Sequence, residues 1–113
     1  MSRKASGLRA WALQRATAVY LGLFFIYLVG ALAVAPPADA AAWQAWMSHP
    51  VMSIASLVFV LALLVHAWVG VRDIIIDYLW HTGVRMAALA LVALVLAGSG
   101  LWALQTLVLA RLA

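Results

Sequence analysis

His66 is the one ionisable side chain in the run 51–71, and it lies six residues before Arg72. An imidazole inside an apolar run is expensive in hydrocarbon, so it faces a partner, a cavity or a cofactor. At 3.6 residues per turn, Ala62, His66 and Gly70 stack on one stripe, one turn apart. Small residues above and below leave room for a flat macrocycle to approach the ring, and imidazole is a common axial ligand of haem iron. A plainer role also fits: a neutral histidine hydrogen-bonded to a neighbouring helix. Position alone does not separate the two. His49 and His81 fall in loops on opposite sides of this run, so neither reaches His66. A six-coordinate b-type haem would therefore take its other histidine from a different chain.

The stretch just after His66 holds a second set of candidates. Residues 72–81, Arg-Asp-Ile-Ile-Ile-Asp-Tyr-Leu-Trp-His, carry two of the chain's three acids among bulky apolar groups. The Tyr78 phenol can donate a hydrogen bond to a quinone carbonyl, and the Asp77 carboxylate can orient that donor or relay protons. The competing reading is an interfacial belt, with Tyr78 and Trp80 at headgroup level and Arg72 paired to Asp73. If the helix runs past the membrane, Asp73 and Asp77 fall about 20° either side of the His66 stripe. Arg15, just before another charge-free run, is either a charge that sets orientation or a partner for a carboxylate such as a haem propionate.

These side chains must be held by membrane-spanning helices. The chain has 113 residues, 69% hydrophobic and 9% charged. A soluble domain is about half apolar and about a quarter charged, and a chain this short cannot bury such an excess in one core. Disorder requires low hydrophobicity and is excluded as well. Three stretches lack Asp, Glu, Lys and Arg: 16–35, 51–71 and 86–110, of 20, 21 and 25 residues. Each meets the roughly 20 residues that cross about 30 Å of hydrocarbon as a helix. Loops of 15 and 14 residues join them, which leaves no place for a soluble catalytic domain. Without cysteine, this chain makes no disulfide, Cys-ligated zinc site or iron–sulfur cluster.

The N-terminal basic residues, the apolar run and Ala38-Asp39-Ala40 have the look of a secretory signal. The run exceeds the roughly 7–15 residues of a signal core, so we read it as the first span. Arg3, Lys4, Arg9, Arg15, Arg72 and Arg85 share one side, and Arg111 alone takes the other. The positive-inside rule then predicts a cytoplasmic N-terminus and second loop and a periplasmic C-terminus. It also accounts for the basic pI without nucleic acid. The first loop holds Asp39 and no basic residue, with Trp43 and Trp46 as interfacial anchors. Ala18 with Gly22, and Gly98 with Gly100, offer small faces for helix packing. The fold class is all-α and integral to the membrane: one anchor domain, 1–113, of three helices that bundle with a partner subunit.

With those residues in place, a family resemblance emerges. Gln14-Arg15-Ala16-Thr17-Ala18 resembles the Arg-Ala-Thr-Ala opening of the small hydrophobic anchor subunits of bacterial succinate dehydrogenase (complex II). His66-Ala67-Trp68-Val69-Gly70, continuing through Asp77-Tyr78, resembles the second-span signature of the D-type anchor. The resemblance implies that His66 is an axial ligand to the iron of haem b, opposite a ligand from a C-type anchor subunit. By the same resemblance Arg15 lies near the haem propionates, Tyr78 hydrogen-bonds ubiquinone and Asp77 stands beside it. It implies further partners, an iron–sulfur subunit and a flavoprotein that oxidises succinate in the tricarboxylic acid cycle. It also implies a place in the bacterial inner membrane. Asp73 matches no family role, and the reaction's physiological direction is not encoded in these motifs. Two other classes fit the bulk features: a non-redox structural or assembly subunit, and a small three-helix transporter. Such proteins purify without a Soret band, and a transporter is expected to carry an acid or a broken helix at the midplane. All three acids here lie outside the charge-free runs.

Overall fold

The computed structural model describes the backbone of residues 3–112 and the side chains of 7–112. The Arg3 and Lys4 side chains, two of the six basic groups counted above, lie outside the described residues, as do both ends of the 1–113 domain. Four helices form: α1 (Arg3–Val34), α2 (Ala40–Ser48), α3 (Pro50–Tyr78) and α4 (Thr82–Leu112). No strand occurs among the described residues. Three of the helices are long and apolar enough to cross a membrane, with mean hydropathies of 2.2, 2.4 and 2.2. A helix satisfies its backbone groups internally, which hydrocarbon demands.

Local chemistry sets the boundaries. Pro36 and Pro37 end α1, since a residue before proline is pushed out of the α region; the last bond runs from Ala35 N–H to the Ala31 carbonyl at 2.9 Å. Asp39 caps α2, its Oδ1 accepting from Ala42 N–H at 2.8 Å. The expected first loop therefore contains a short helix. Pro50 opens α3 at the position where its missing N–H costs nothing. At the far end the expected second loop contracts to residues 79–81, because α3 continues through Asp73 and Asp77 to Tyr78. Charged residues mark where hydrocarbon ends, and a helix can cross that line into the headgroup region. Arg85 locks this corner: its Nε donates to the Leu79 carbonyl at 3.0 Å and its Nη2 to the Ile76 carbonyl at 3.1 Å. Those are carbonyls that the end of α3 leaves without a helical partner.

The spanning helices lie in a row. α3 packs against both α1 and α4, and among the described residues no Cα atoms of α1 and α4 come within 8 Å of each other. Gly100 permits the close approach on the α4 side, where a Cβ would fall 2.6 Å from Leu64 Cδ1. Gly22 and Gly98 face open space, so a Cβ added at Gly22 would meet none of the described residues. Tyr20 ties α1 to α3 by donating its hydroxyl to the Ala55 carbonyl at 2.7 Å. Phe24 packs on Phe59 beside it, ring centroids 4.8 Å apart. Few apolar side chains are buried: Phe24, Met52, Val69 and Ile75. Ile26, Leu94 and Trp102 lie 70–74% exposed, as side chains facing lipid do. α2 lies across the end of α4, where Ser48 Oγ donates to the Ala110 carbonyl at 2.7 Å.

Candidate functional site

His66 sits on the side of α3 that meets α1, neither buried nor fully exposed. Its Nδ1 lies 3.1 Å from the hydroxyl oxygen of Thr17 on α1. Thr17, only 9% exposed, also donates its hydroxyl to its own helix, to the Leu13 carbonyl at 2.8 Å. The ring is thus anchored through one nitrogen, and Nε2 has no hydrogen-bond partner among the described residues. The helix-to-helix hydrogen bond uses only one ring nitrogen, so the two sequence readings of His66 are compatible rather than exclusive.

Ala62, His66 and Gly70 lie on one unbroken helix, and Gly70 has a neighbour across the seam that its spacing did not announce. Its open side is taken by Gln14 of α1, whose Nε2 would lie 3.3 Å from an added Cβ. On this side Gly70 therefore gives room to α1, through the Gln14 side chain, beside His66. The Gln14 Oε1 is buried and unpaired at this seam. Thr17 and Gln14 come from the Gln-Arg-Ala-Thr-Ala segment, in which only the arginine had been singled out. A hydroxyl or amide in an apolar run counts as an ordinary polar interruption until its neighbour across the seam is known.

α3 carries the remaining candidates as one rigid rod. Tyr78 lies twelve residues beyond His66, about 18 Å along the axis. Because the helix is unbroken, Asp73 and Asp77 do fall within about 20° of the His66 stripe, while Tyr78 is turned about 120° from it. Tyr78 is 76% exposed, and Asp77 is exposed as well. Arg72 pairs with Asp73, Nη2 to Oδ1 at 3.2 Å, as the interfacial reading expected. Both partners are open to the surroundings, so the pair contributes little stability. Arg15 is exposed, its guanidinium carbon 5.8 Å from the centre of the Trp11 ring. The fold therefore brings Thr17 and Gln14 to His66 and Gly70, and leaves Arg15, Asp77 and Tyr78 on open surface.

His49 and His81 take structural posts at opposite ends of α3. His49 Nδ1 accepts from Val51 N–H at 3.3 Å at the start of α3. His81 Nδ1 accepts from Val84 N–H at 3.2 Å at the start of α4. His49 is separated from His66 by about 25 Å of helix. Among the described residues no three His, Cys, Asp or Glu side chains cluster as metal ligands. A cavity of about 410 Å³ opens between α1 and α4 toward the α2 end, walled by Phe24, Phe59, Trp43 and Trp102. None of the candidate residues lines it.

Comparison with known proteins agrees with this architecture. The family model for the succinate dehydrogenase/fumarate reductase transmembrane subunit matches residues 1–104. A succinate dehydrogenase hydrophobic membrane anchor subunit from Coxiella burnetii is 36% identical over 105 residues, covering 93% of this chain and 91% of the relative. The three apolar helices and these two matches lead to one assignment: the chain belongs to the succinate dehydrogenase/fumarate reductase transmembrane subunit family, as a multi-pass membrane anchor.

Proposed function

We propose that this chain anchors a succinate:quinone oxidoreductase in a bacterial inner membrane and supplies His66 as one axial ligand to a haem b. A C-type anchor subunit would supply the other ligand. The iron–sulfur and flavoprotein subunits dock at the end where the α3–α4 turn lies, which is the cytoplasmic end. The observation that carries this reading is the state of the His66 ring. It is held through Nδ1 by Thr17, and its Nε2 has no hydrogen-bond partner among the described residues. The residues present fit the group: a neutral imidazole nitrogen is the donor haem iron takes, and one ligand per chain suits a haem shared between two subunits. When bound, haem b supplies a one-electron store within the membrane.

The chain's own residues then divide the work. α1 and α3 exclude water from the Nδ1 side of the ring and fix its plane. Arg15, unpaired with any carboxylate among the described residues, offers a guanidinium to a propionate. Tyr78 Oη donates to a carbonyl of ubiquinone at the cytoplasmic boundary. The Asp77 carboxylate, one residue away, accepts protons from cytoplasmic water and passes them toward the reduced carbonyl oxygens. No succinate chemistry takes place on this chain. The deciding experiment is the absorption spectrum of the assembled complex with His66→Ala. Loss or alteration of the low-spin b-type bands is expected. A wild-type spectrum would remove His66 from the iron.

A further inference from the structure

The strongest unassigned group at the site is Thr17. Its hydroxyl has a single hydrogen, and the carbonyls of Leu13 at 2.8 Å and Gln14 at 3.1 Å both stand within reach of it. Hydroxyls of helical threonines turn back onto the preceding turn in this way. If that hydrogen goes to the α1 backbone, the 3.1 Å approach to His66 is one in which Thr17 Oγ1 accepts. That arrangement puts the proton on Nδ1 of His66. A neutral imidazole has one N–H, so Nε2 carries the lone pair.

We propose that Thr17 is a positioning residue that sets the Nδ1–H tautomer of His66, aims Nε2 out of the helix row, and raises the basicity of that nitrogen as a ligand. The inference rests on the reading of His66 as a haem ligand and adds to it where the ring's proton is and what holds it there. Three features of the seam support it. Thr17 is almost completely buried, so no water competes for Nδ1. Tyr20, one turn along α1, pins the two helices together through the Ala55 carbonyl. Gly70 allows the approach of Gln14 that keeps the seam narrow at this level. An acceptor on the far nitrogen orients a metal-bound histidine and increases its donor strength, and removing such a partner costs about 10–100-fold in metal affinity.

A stronger donor favours ferric over ferrous iron, so the inference has a sign. Thr17→Val keeps the branched shape and removes the acceptor. In the assembled complex it is expected to retain a b-type spectrum while the haem midpoint potential rises, by about 59 mV for each tenfold loss of ferric preference. Thr17→Ser keeps the oxygen and is expected to return the potential toward the wild-type value. Loss of haem in Thr17→Val with retention in Thr17→Ser also supports the proposal. A wild-type potential in Thr17→Val overturns it, and so does a serine variant that behaves like the valine one. His66→Ala measured alongside separates the two levels: if that variant keeps the spectrum, the ligand reading itself fails, whatever Thr17 does.

Discussion

Substitutions at Gly70 separate two explanations for a glycine one turn from His66. If the glycine made room for a macrocycle, any side chain there would displace haem. In the structure the space belongs to Gln14, and an added Cβ would meet Gln14 Nε2 at 3.3 Å. That contact is tight, but its partner is the end of a flexible side chain that can swing aside. Replacing a mid-helix glycine with alanine also gains about 1 kcal/mol of helix propensity. Gly70→Ala is therefore expected to stay within about 0.5 kcal/mol of wild type and to keep its haem. Gly70→Leu is different, since its terminal carbons reach about 2.5 Å beyond Cβ, into α1. Overpacking of that kind costs about 1–3 kcal/mol. The Thr17–His66 bond is 3.1 Å long. It fails beyond about 3.5 Å, so a separation of about 0.4 Å is enough to break it. The leucine variant should thus lose stability to denaturation in detergent micelles and shift its haem potential in the direction expected for Thr17→Val. Loss of haem in the alanine variant would refute this reasoning, as would a leucine variant indistinguishable from wild type.

Two further expectations concern the ends of the rod. Tyr78→Phe should slow ubiquinone reduction about 10-fold or more while leaving succinate oxidation by a soluble dye intact, because it deletes one donor at an exposed site; equal loss of both activities would argue against a quinone role. The chain has no cysteine, so His81→Cys and His49→Cys can each be labelled alone with a membrane-impermeant thiol reagent. The first should react only from the cytoplasmic face and the second only from the periplasmic face, and the reverse pattern would overturn the orientation.

The charge-free runs identify all three spanning helices, because lipid tolerates few other segments of that length and composition. The helix ends were less legible. Arg72 and Asp73 interrupt the apolar run, yet backbone bonding continues undisturbed to Tyr78, and a charge ends hydrocarbon exposure without ending a helix. α2 was hidden in a stretch read as loop, although Asp39 three residues before Ala42 is a capping arrangement. The stripe through His66 was legible as a face; what it faces was not. That knowledge required the register of α1 against α3, which places Thr17 and Gln14 at His66 and Gly70. Arg85 shows the same limit: its charge was legible as a marker of sidedness, and its hydrogen bonds to the end of α3 depended on a turn tighter than the charge pattern suggested.

The unbroken course of α3 has an evolutionary consequence. Between His66 and Tyr78 the helix acts as a ruler and a protractor together. One residue added or removed there would move the two ends by about 1.5 Å and turn them by about 100° relative to each other. No loop or bulge lies between them to absorb the change. Descendants of this sequence can therefore exchange side chains in 67–76 where packing allows, but they cannot change the length of the segment between His66 and Tyr78. Insertions and deletions should instead collect around α2, where the chain leaves the helix row and register carries no information to the site.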